Sequence, residues 1–286
     1  MEYVILIYYM VFGFKTMAGD RIMTKHIWTK EQLLNQLNSL PCKKGKIVTV
    51  HTSLKAVGEI EGGGETLLSA LISHFTRDGG LLCIPTHTWD GDVYDRRRAD
   101  ACIGVLPRLA AAHPEAVRTM HPTHSMAVFG DRERVERFVG DEAYAATPAD
   151  PKGCLGKLYK EDGDVLLIGV GQEKNTFLHC VEEMLGVPRR LTDYKVEKTI
   201  IHKDGTEEKR HLYWFDDIIA DVSVFFPKFE APFRHYGCIS DGFIGEAKAQ
   251  FCNARKMYAV MEKIYKNNKF GELLSNDEPI DERLYR

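Results

Sequence analysis

An unbroken apolar segment, DVLLIGVG (residues 164–171), constrains the fold of this chain more than any other feature. Such a run is typical of a strand that is buried on both faces, and such strands occur mainly in α/β proteins. Strand-like and helix-like patterns alternate around it, from residue 29 to residue 186. We therefore predict an α/β fold whose central, mostly parallel sheet is flanked by helices.

Local patterns predict the other elements of this fold. Thr29 is expected to cap a first helix that buries Leu33, Leu34, Leu37 and Leu40. Further strands are predicted at 46–54, 80–88 and 124–130. Further helices are predicted at 62–75, 104–113, 175–185 and 245–267.

Residues 190–235 have a different character from the alternating region before them. Two alternating runs lie on either side of KDGT (203–206), and the Asp-Gly pair is a strong signal for a tight hairpin turn. We predict that this segment forms a β-rich insertion over the core.

Composition excludes several classes of protein. The net charge of −3 among 286 residues predicts no nucleic-acid partner. The seven cysteines form no CxxC motif, so neither a disulfide framework nor a thiolate zinc site is expected, and a cytoplasmic location fits best.

The N-terminus begins with an apolar run, YVILIYYMVFGF (3–14). This run is shorter than the roughly 20 residues that cross a bilayer, so we predict no membrane association. Residues 1–22 are interpreted as an extension, which is either a mis-assigned start or a short extra element. Residues 23–286 are predicted to form a single domain.

The richest candidate site is NTFLHCVE (175–182), which follows the buried strand. Asn175 or Thr176 is expected to cap a helix on which His179 and Glu182 lie about one turn apart, on the same face. Active sites of open α/β sheets lie at the carboxyl ends of strands, and a histidine oriented by a carboxylate can act as a general base. Spacing alone fits a solvated His–Glu pair equally well.

Two other segments carry weaker signals. In VHTSLKAVGEIEGGGETLLSAL (50–71), glycines open a helix whose free N–H groups favour an anion such as phosphate, although a simple flexible capping loop has the same pattern. His121 and His124 flank a proline, and we interpret them as hydrogen-bonding residues because no third ligand lies nearby at metal-binding spacing.

Together these segments resemble the aminoglycoside 3-N-acetyltransferase family. The chain has the segment at 50–71 where the family has VHSSL, GG, T and AL in order, and HPTHSMAVFG (121–130) where the family has HPTHSFAAxG. It has CLGKLYKEDGDVLLIGVGQEKNTFLHCVE (154–182) where the family has PLGRLYELDGxVLLLGVGHxxNTSLHLAE, and DGFIGEAKAQ (241–250) matches a later GxxGxA block. The resemblance covers residues 45–265, and it implies the distinctive α/β fold of that family.

The resemblance implies direct transfer of an acetyl group from acetyl-CoA to the 3-amino group of an aminoglycoside, which confers antibiotic resistance. The catalytic histidine and acid of the family correspond to His179 and Glu182. His179 would remove a proton from the ammonium, and Glu182 would fix its tautomer. No metal is expected.

The resemblance also implies two sets of binding residues. Acetyl-CoA is expected to contact His51, Thr52, Ser53, Leu54, Gly63, Gly64, Thr66, Thr86, His124 and Ser125. A polycationic acceptor is expected to contact carboxylates at Asp90, Asp92, Glu183 and Asp216, with 190–235 covering the acceptor site. The chain departs from the family in CIPTHTWD (83–90), where His87 replaces a frequent phenylalanine.

Several alternatives stay open at this point. The same fold could acetylate another amine, such as a peptide or a metabolite, or could bind CoA without turnover. A metal-dependent hydrolase that uses His121, His124, His179 and Glu182 is a further alternative. The sequence does not determine the oligomeric state, and a homodimer is one of the assemblies that it allows.

Overall fold

The computed structural model describes residues 25–89, 91–98, 100–215 and 221–286. The predicted extension at 1–22 and two predicted acceptor carboxylates, Asp90 and Asp216, lie outside the described residues. No helix in the described part of the chain is long and apolar enough to cross a membrane.

The elements alternate between strands and helices along much of the chain. The strands are β1 (Ile27–Trp28), β2 (Ile47–Thr52), β3 (Glu59–Ile60), β4 (Leu81–Pro85), β5 (Val93–Asp95), β6 (Val117–Arg118), β7 (Met126–Phe129), β8 (Asp164–Ile168), β9 (Leu191–Ile201), β10 (Glu207–Phe215), β11 (Ile239–Ile244) and β12 (Ala247–Asn253). The α-helices are α1 (Lys30–Ser39), α2 (Leu54–Val57), α3 (Gly63–Phe75), α4 (Val105–Ala112), α5 (Arg132–Val139), α6 (Cys154–Lys160), α7 (Phe177–Leu185), α8 (Glu230–His235) and α9 (Ala254–Asn267).

The central sheet confirms the α/β prediction. Its seven strands lie in the order β11-β12-β8-β2-β4-β7-β6. The pairs β8–β2 and β2–β4 are parallel, whereas the other neighbouring pairs are antiparallel. The expectation of mostly parallel pairing is therefore corrected to a parallel centre with antiparallel flanks. At one edge the reason is the two-residue connection between β11 and β12, which is too short for a parallel crossover.

The central strands are buried on both faces, as the apolar run predicted. In β8, Val165 and Leu167 belong to the core on one face, while Leu166 and Ile168 belong to the core on the other. The predicted first helix is also confirmed. Thr29 caps α1 in a reciprocal capping box with Gln32.

The helix predicted at 245–267 is wrong in its first part. Residues 247–253 form β12, which pairs with both β11 and β8, and α9 begins only at Ala254. Asn253 caps this helix by accepting a hydrogen bond from the backbone N–H of Lys256. Pairing with the buried strand β8 outweighed the local helix preference of the alanine-rich segment.

The predicted hairpin insertion is present. Strands β9 and β10 pair in antiparallel fashion around the turn, where Gly205 has a φ of +89°. Strand β5 pairs with β9 in parallel and completes a separate three-stranded sheet. This sheet ends at Phe215, which reaches the cavity described below.

Candidate functional site

A cavity of about 720 Å³ opens where the parallel strands of the central sheet end. Its walls include the end of β2, the residues that follow β4 and β8, and the start of α7. The end of the hairpin insertion contributes Trp214 and Phe215. Crevices outside the carboxyl ends of strands are the usual location of ligand sites in open α/β sheets.

His179 lies on the face of α7 that lines this cavity. Its ring packs against Phe215 and Phe226, with centroid distances of 4.5 and 4.7 Å. Burial lowers the pKa of His179 to about 4, while the charge of Asp221 acts in the opposite direction. The imidazole is therefore neutral near pH 7, which is the state that a general base requires.

Glu182 lies one turn further along α7 but faces the protein core, where it is 0% exposed. Its Oε1 accepts hydrogen bonds from Arg190 Nε at 2.9 Å and from the Tyr265 hydroxyl at 2.5 Å. Arg190 also pairs with Glu272 at 2.9 Å. We call these four residues the Glu182 ion-pair cluster.

Among the described residues, no hydrogen bond joins Glu182 to His179. The expected contact that would fix the histidine tautomer is therefore absent from this structure. Three residues rotate by about 300° along a helix, so the two side chains are about 60° apart, and Arg190 and Tyr265 hold Glu182 on the core side of this offset. That offset is enough to turn one side chain toward the cavity and the other toward the core.

Asp221 is the cavity residue that sequence reasoning missed. It lines the same cavity as His179, and its charge raises the pKa of that histidine. Its carboxylate accepts the backbone N–H of Ser223 at 3.0 Å. Asp221 is distant from His179 in the sequence and belongs to no recognisable motif, so no local signal could have identified it.

The predicted CoA residues divide into two groups. His51, Thr52 and His124 line the cavity. The Nε2 atom of His51 and the hydroxyl of Thr52 are buried and have no hydrogen-bond partner within the described part of the chain. Burial and the charge of Lys174 lower the pKa of His51 to about 4, so these groups present neutral polar atoms to the cavity.

The remaining predicted CoA residues lie behind or beside this wall. Thr86 and Ser125 are buried, and their hydroxyl oxygens lie 3.0 Å apart. Ser53 directly precedes α2, and its backbone N–H donates to the carbonyl of Ile168 at 2.9 Å.

The glycine-rich start of α3 has a packing role. A Cβ atom at Gly64 would lie 3.0 Å from the side chain of Leu54 and 2.8 Å from that of Leu109, so a larger residue would force these side chains apart. Gly63 has a φ of +65° and faces open space. These two glycines, Leu54 and Thr66 do not line the cavity.

The described candidates for acceptor binding lie away from the cavity. Asp92 is exposed and pairs with Lys198 at 2.8 Å. Glu183 accepts a hydrogen bond from the Thr147 hydroxyl at 2.5 Å, and burial raises its pKa to about 7. The described carboxylates that do line the cavity are Glu173 and Asp221.

The histidines of the HPTHS motif are not arranged as metal ligands. His121 Nδ1 accepts the backbone N–H of His124 at 2.9 Å, which leaves Nε2 to donate to the carbonyl of Thr147 at 2.9 Å. Both nitrogens of His121 are thus used within the protein. In the described residues, no group of three or more His, Cys, Asp or Glu side chains could hold a metal ion.

Comparisons with known proteins point to one family. A family model described as aminoglycoside 3-N-acetyltransferase matches residues 49–266. Aminoglycoside N(3)-acetyltransferase VII of Streptomyces paromomycinus is 29% identical over 79% of this chain and 88% of its own length. Aminoglycoside N(3)-acetyltransferase IV of a Salmonella species is 32% identical, over 58% of this chain and 64% of its own length.

Solved structures share the fold. AAC-IIIb in a binary complex with CoASH superimposes with a TM-score of 0.73 at 22% identity, covering 87% of this chain and 99% of that one. A histidine-to-alanine variant of AAC(3)-IVa in complex with a gentamicin gives a TM-score of 0.72 at 25% identity, covering 86% of this chain and 92% of that one.

Proposed function

Because this chain belongs to the aminoglycoside 3-N-acetyltransferase family, we propose that it transfers an acetyl group from acetyl-CoA to the 3-amino group of an aminoglycoside. The observation that carries the proposal is a neutral, partly buried histidine, His179, in a cavity at the carboxyl ends of parallel strands. A relative with this fold was solved with CoASH and another with a gentamicin, which supports both substrates. Acetylation of a drug in this way would confer resistance to it.

The proposed chemistry begins with the amine. An ammonium has no lone pair, so it must lose a proton before it can attack the thioester carbonyl. Nε2 or Nδ1 of His179 takes this first proton and passes it to water, so that the neutral amine attacks and the new C–N bond forms. The imidazole then takes a second proton from the same nitrogen, and the C–S bond breaks. The CoA thiolate leaves and receives the proton that the imidazole carries.

Asp221, rather than Glu182, is the carboxylate that we assign to stabilising the imidazolium. It lines the cavity and its charge acts on His179, whereas the carboxylate of Glu182 is engaged by Arg190 and Tyr265. Glu182 would support catalysis indirectly, because the cluster that it organises holds α7 in place. The shape and position of α7 then determine where His179 lies.

The donor would occupy the part of the cavity that His51 and Thr52 line. The unpartnered Nε2 of His51 and hydroxyl of Thr52 are suitable hydrogen-bonding groups for the polar arm of CoA or for the thioester oxygen. The Thr86 and Ser125 hydroxyls would support this wall from behind.

A second candidate function is acetylation of an amine with fewer positive charges. The described lining includes two carboxylates, Glu173 and Asp221, and these are opposed by Lys174. Much of the wall is aromatic, with Trp89, Trp214 and Phe215. Such a wall favours an acceptor that combines one or two ammonium groups with an apolar surface.

The test is a panel of acceptors with acetyl-CoA. Gentamicin, apramycin and sisomicin would be compared with a peptide N-terminus and simple diamines, with release of the CoA thiol as the readout and the acetylated position read from the product. Turnover of an aminoglycoside at its 3-amino group supports the first function, whereas turnover of only the simpler amines supports the second. Binding of CoA without thiol release for any amine would contradict both.

A further inference from the structure

His87 is a buried side chain whose polar atoms have no partner. It follows β4, lines the cavity and is only 4% exposed. Neither Nδ1 nor Nε2 of its ring has a hydrogen-bond partner in the part of the chain that the structure describes. Burial lowers the pKa of His87 well below 6.5, so the ring is neutral, with one nitrogen that donates and one that accepts.

An unpartnered buried polar group reduces stability, and native proteins contain few of them. Such groups are expected where a ligand supplies the missing partner. At this position the resembling family often has phenylalanine, whose ring would fill the same space without any unpaired nitrogen. The histidine therefore costs this protein stability in the ligand-free state, and a function is needed to explain it.

The neighbours of His87 connect it with the reacting group. Its ring centroid lies 4.5 Å from that of His124 and 5.1 Å from that of Trp89. The ring centroids of His124 and Phe215 are 5.5 Å apart, and those of Phe215 and His179 are 4.5 Å apart. These five rings form one continuous wall, which we call the aromatic wall, from an exposed tryptophan to the proposed general base.

The aromatic wall belongs to the acceptor side of the cavity. The general base must touch the amine, and Phe215 at the end of the hairpin insertion packs directly on that base. A group of the same wall is therefore well placed to contact the body of the amine substrate. A hydroxyl group both donates and accepts, so it can pair with either nitrogen of a neutral imidazole.

We propose that His87 is a specificity-determining residue that hydrogen-bonds a hydroxyl group of the acceptor. This inference rests on the proposed acetyl transfer and adds a residue and a chemical feature of the substrate to it. A site built to pair with a substrate hydroxyl discriminates strongly against analogues that lack it, since its own polar group is then left unpaired.

The central experiment is the substitution His87→Phe, studied in the full chain. If the unpaired nitrogens reduce stability in the absence of ligand, the melting temperature of the variant should rise by about 2–4 °C. The KM for gentamicin should rise about tenfold, while the KM for acetyl-CoA stays within about twofold. A gain in stability together with a loss of acceptor binding is a combination that a purely structural role would not produce.

Two further variants make the result specific. His87→Gln keeps a donor and an acceptor, so it should restore the gentamicin KM to within about threefold of wild type. His235→Phe changes an exposed histidine outside the cavity and should leave both KM values unchanged. A pair of small acceptors, 2-deoxystreptamine and 1,3-diaminocyclohexane, differs mainly in ring hydroxyls, and His87→Phe should reduce the preference of the enzyme for the hydroxylated member.

Other outcomes would overturn the proposal. An unchanged gentamicin KM in His87→Phe, or a rise confined to acetyl-CoA, would remove His87 from acceptor recognition. A lower melting temperature in both His87→Phe and His87→Gln would identify a packing role instead. If the wild-type protein binds CoA but acetylates no amine of the panel, the proposed function itself fails, and this result is recognisable before any variant is made.

Discussion

The buried polar groups on the two sides of helix α7 differ in how many hydrogen-bond partners they have. On the core side, the Glu182 ion-pair cluster joins two carboxylates, a guanidinium and a phenol through hydrogen bonds of 2.5–3.0 Å. On the cavity side, His51 and His87 have buried ring nitrogens with no partner among the described residues, and burial lowers the pKa of both histidines. On the core side each of the four side chains has at least one partner, although Oε2 of Glu182 has none among the described residues, whereas the His87 ring on the cavity side has no partner at either nitrogen.

This difference indicates that the core side of α7 contributes mainly to stability and the cavity side mainly to function. Paired groups in the core need no ligand. Removing one of them destabilises the protein, because its partner is left as a buried charge without compensation. Unpaired groups in the cavity cost stability until a ligand supplies their partners. Substitutions on the core side should therefore change unfolding more than catalysis, and substitutions on the cavity side should do the reverse.

The largest expected effect concerns the core side. Arg190→Met would leave Glu182 buried beside Glu272 without its cation, and the free energy of unfolding should fall by about 3–5 kcal/mol. Denaturant unfolding measures this loss. Arg234 pairs with Glu230 and Asp241 at the surface, so the matched control Arg234→Met should lose less than about 1 kcal/mol. Equal losses in the two variants would contradict a special role of the cluster.

The next effect concerns the cavity side. His179→Ala should lower kcat/KM for the amine by about 100-fold or more, which corresponds to about 2.7 kcal/mol of transition-state free energy. Steady-state kinetics with thiol detection measures this change, and calorimetric titration with CoA should give an affinity near that of wild type. Full activity of the variant would exclude His179 as the base.

The contribution of His179 to stability should depend on pH. An unfolded histidine takes up its proton near pH 6.5, whereas folded His179 remains neutral down to about pH 4. Between these values the unfolded state binds more protons, so this histidine makes stability fall as the pH falls, by about 1.4 kcal/mol per pH unit.

The variant His179→Gln lacks that proton uptake. The free energy of unfolding of this variant should therefore rise relative to that of wild type as the pH is lowered from 6.5 to 4.5, by about 1.4 kcal/mol per pH unit. Urea unfolding at several pH values provides the difference directly. A difference that does not change with pH would show that the folded histidine titrates normally.

The smallest expected effect is a difference in kcat/KM between substitutions of two aspartates. Asp221 lines the cavity, so Asp221→Asn should lower kcat/KM for the amine about 5- to 10-fold by removing a charge that favours the imidazolium. Asp92 is a surface residue paired with Lys198, so Asp92→Asn should change kcat/KM less than about twofold. Kinetics at low and high salt would test both variants, and a larger loss in Asp92→Asn would place acceptor binding on the surface near β5.

Sequence patterns predicted much of the fold because their signals are local. The apolar run of β8 requires burial on both faces, the Asp-Gly pair requires a tight turn, and Thr29 with Gln32 forms a capping box within four residues. The same locality explains the error at 247–253. Alanine, lysine and glutamine favour a helix, and only the neighbouring strand β8 made this segment a strand.

For the site, motif resemblance in the sequence was enough to select His51, Thr52, His124 and His179, which all line the cavity, and their binding and catalytic roles stay predictions. The sequence also placed His179 and Glu182 about one turn apart, since helical spacing is a property of the chain alone. Only the tertiary structure decided which side of α7 each residue faces, because that depends on what packs against the helix. Arg190, Tyr265 and Glu272 lie around Glu182, whereas Asp221 and Phe215 approach His179 from distant parts of the sequence, and contacts of this kind have no local signature.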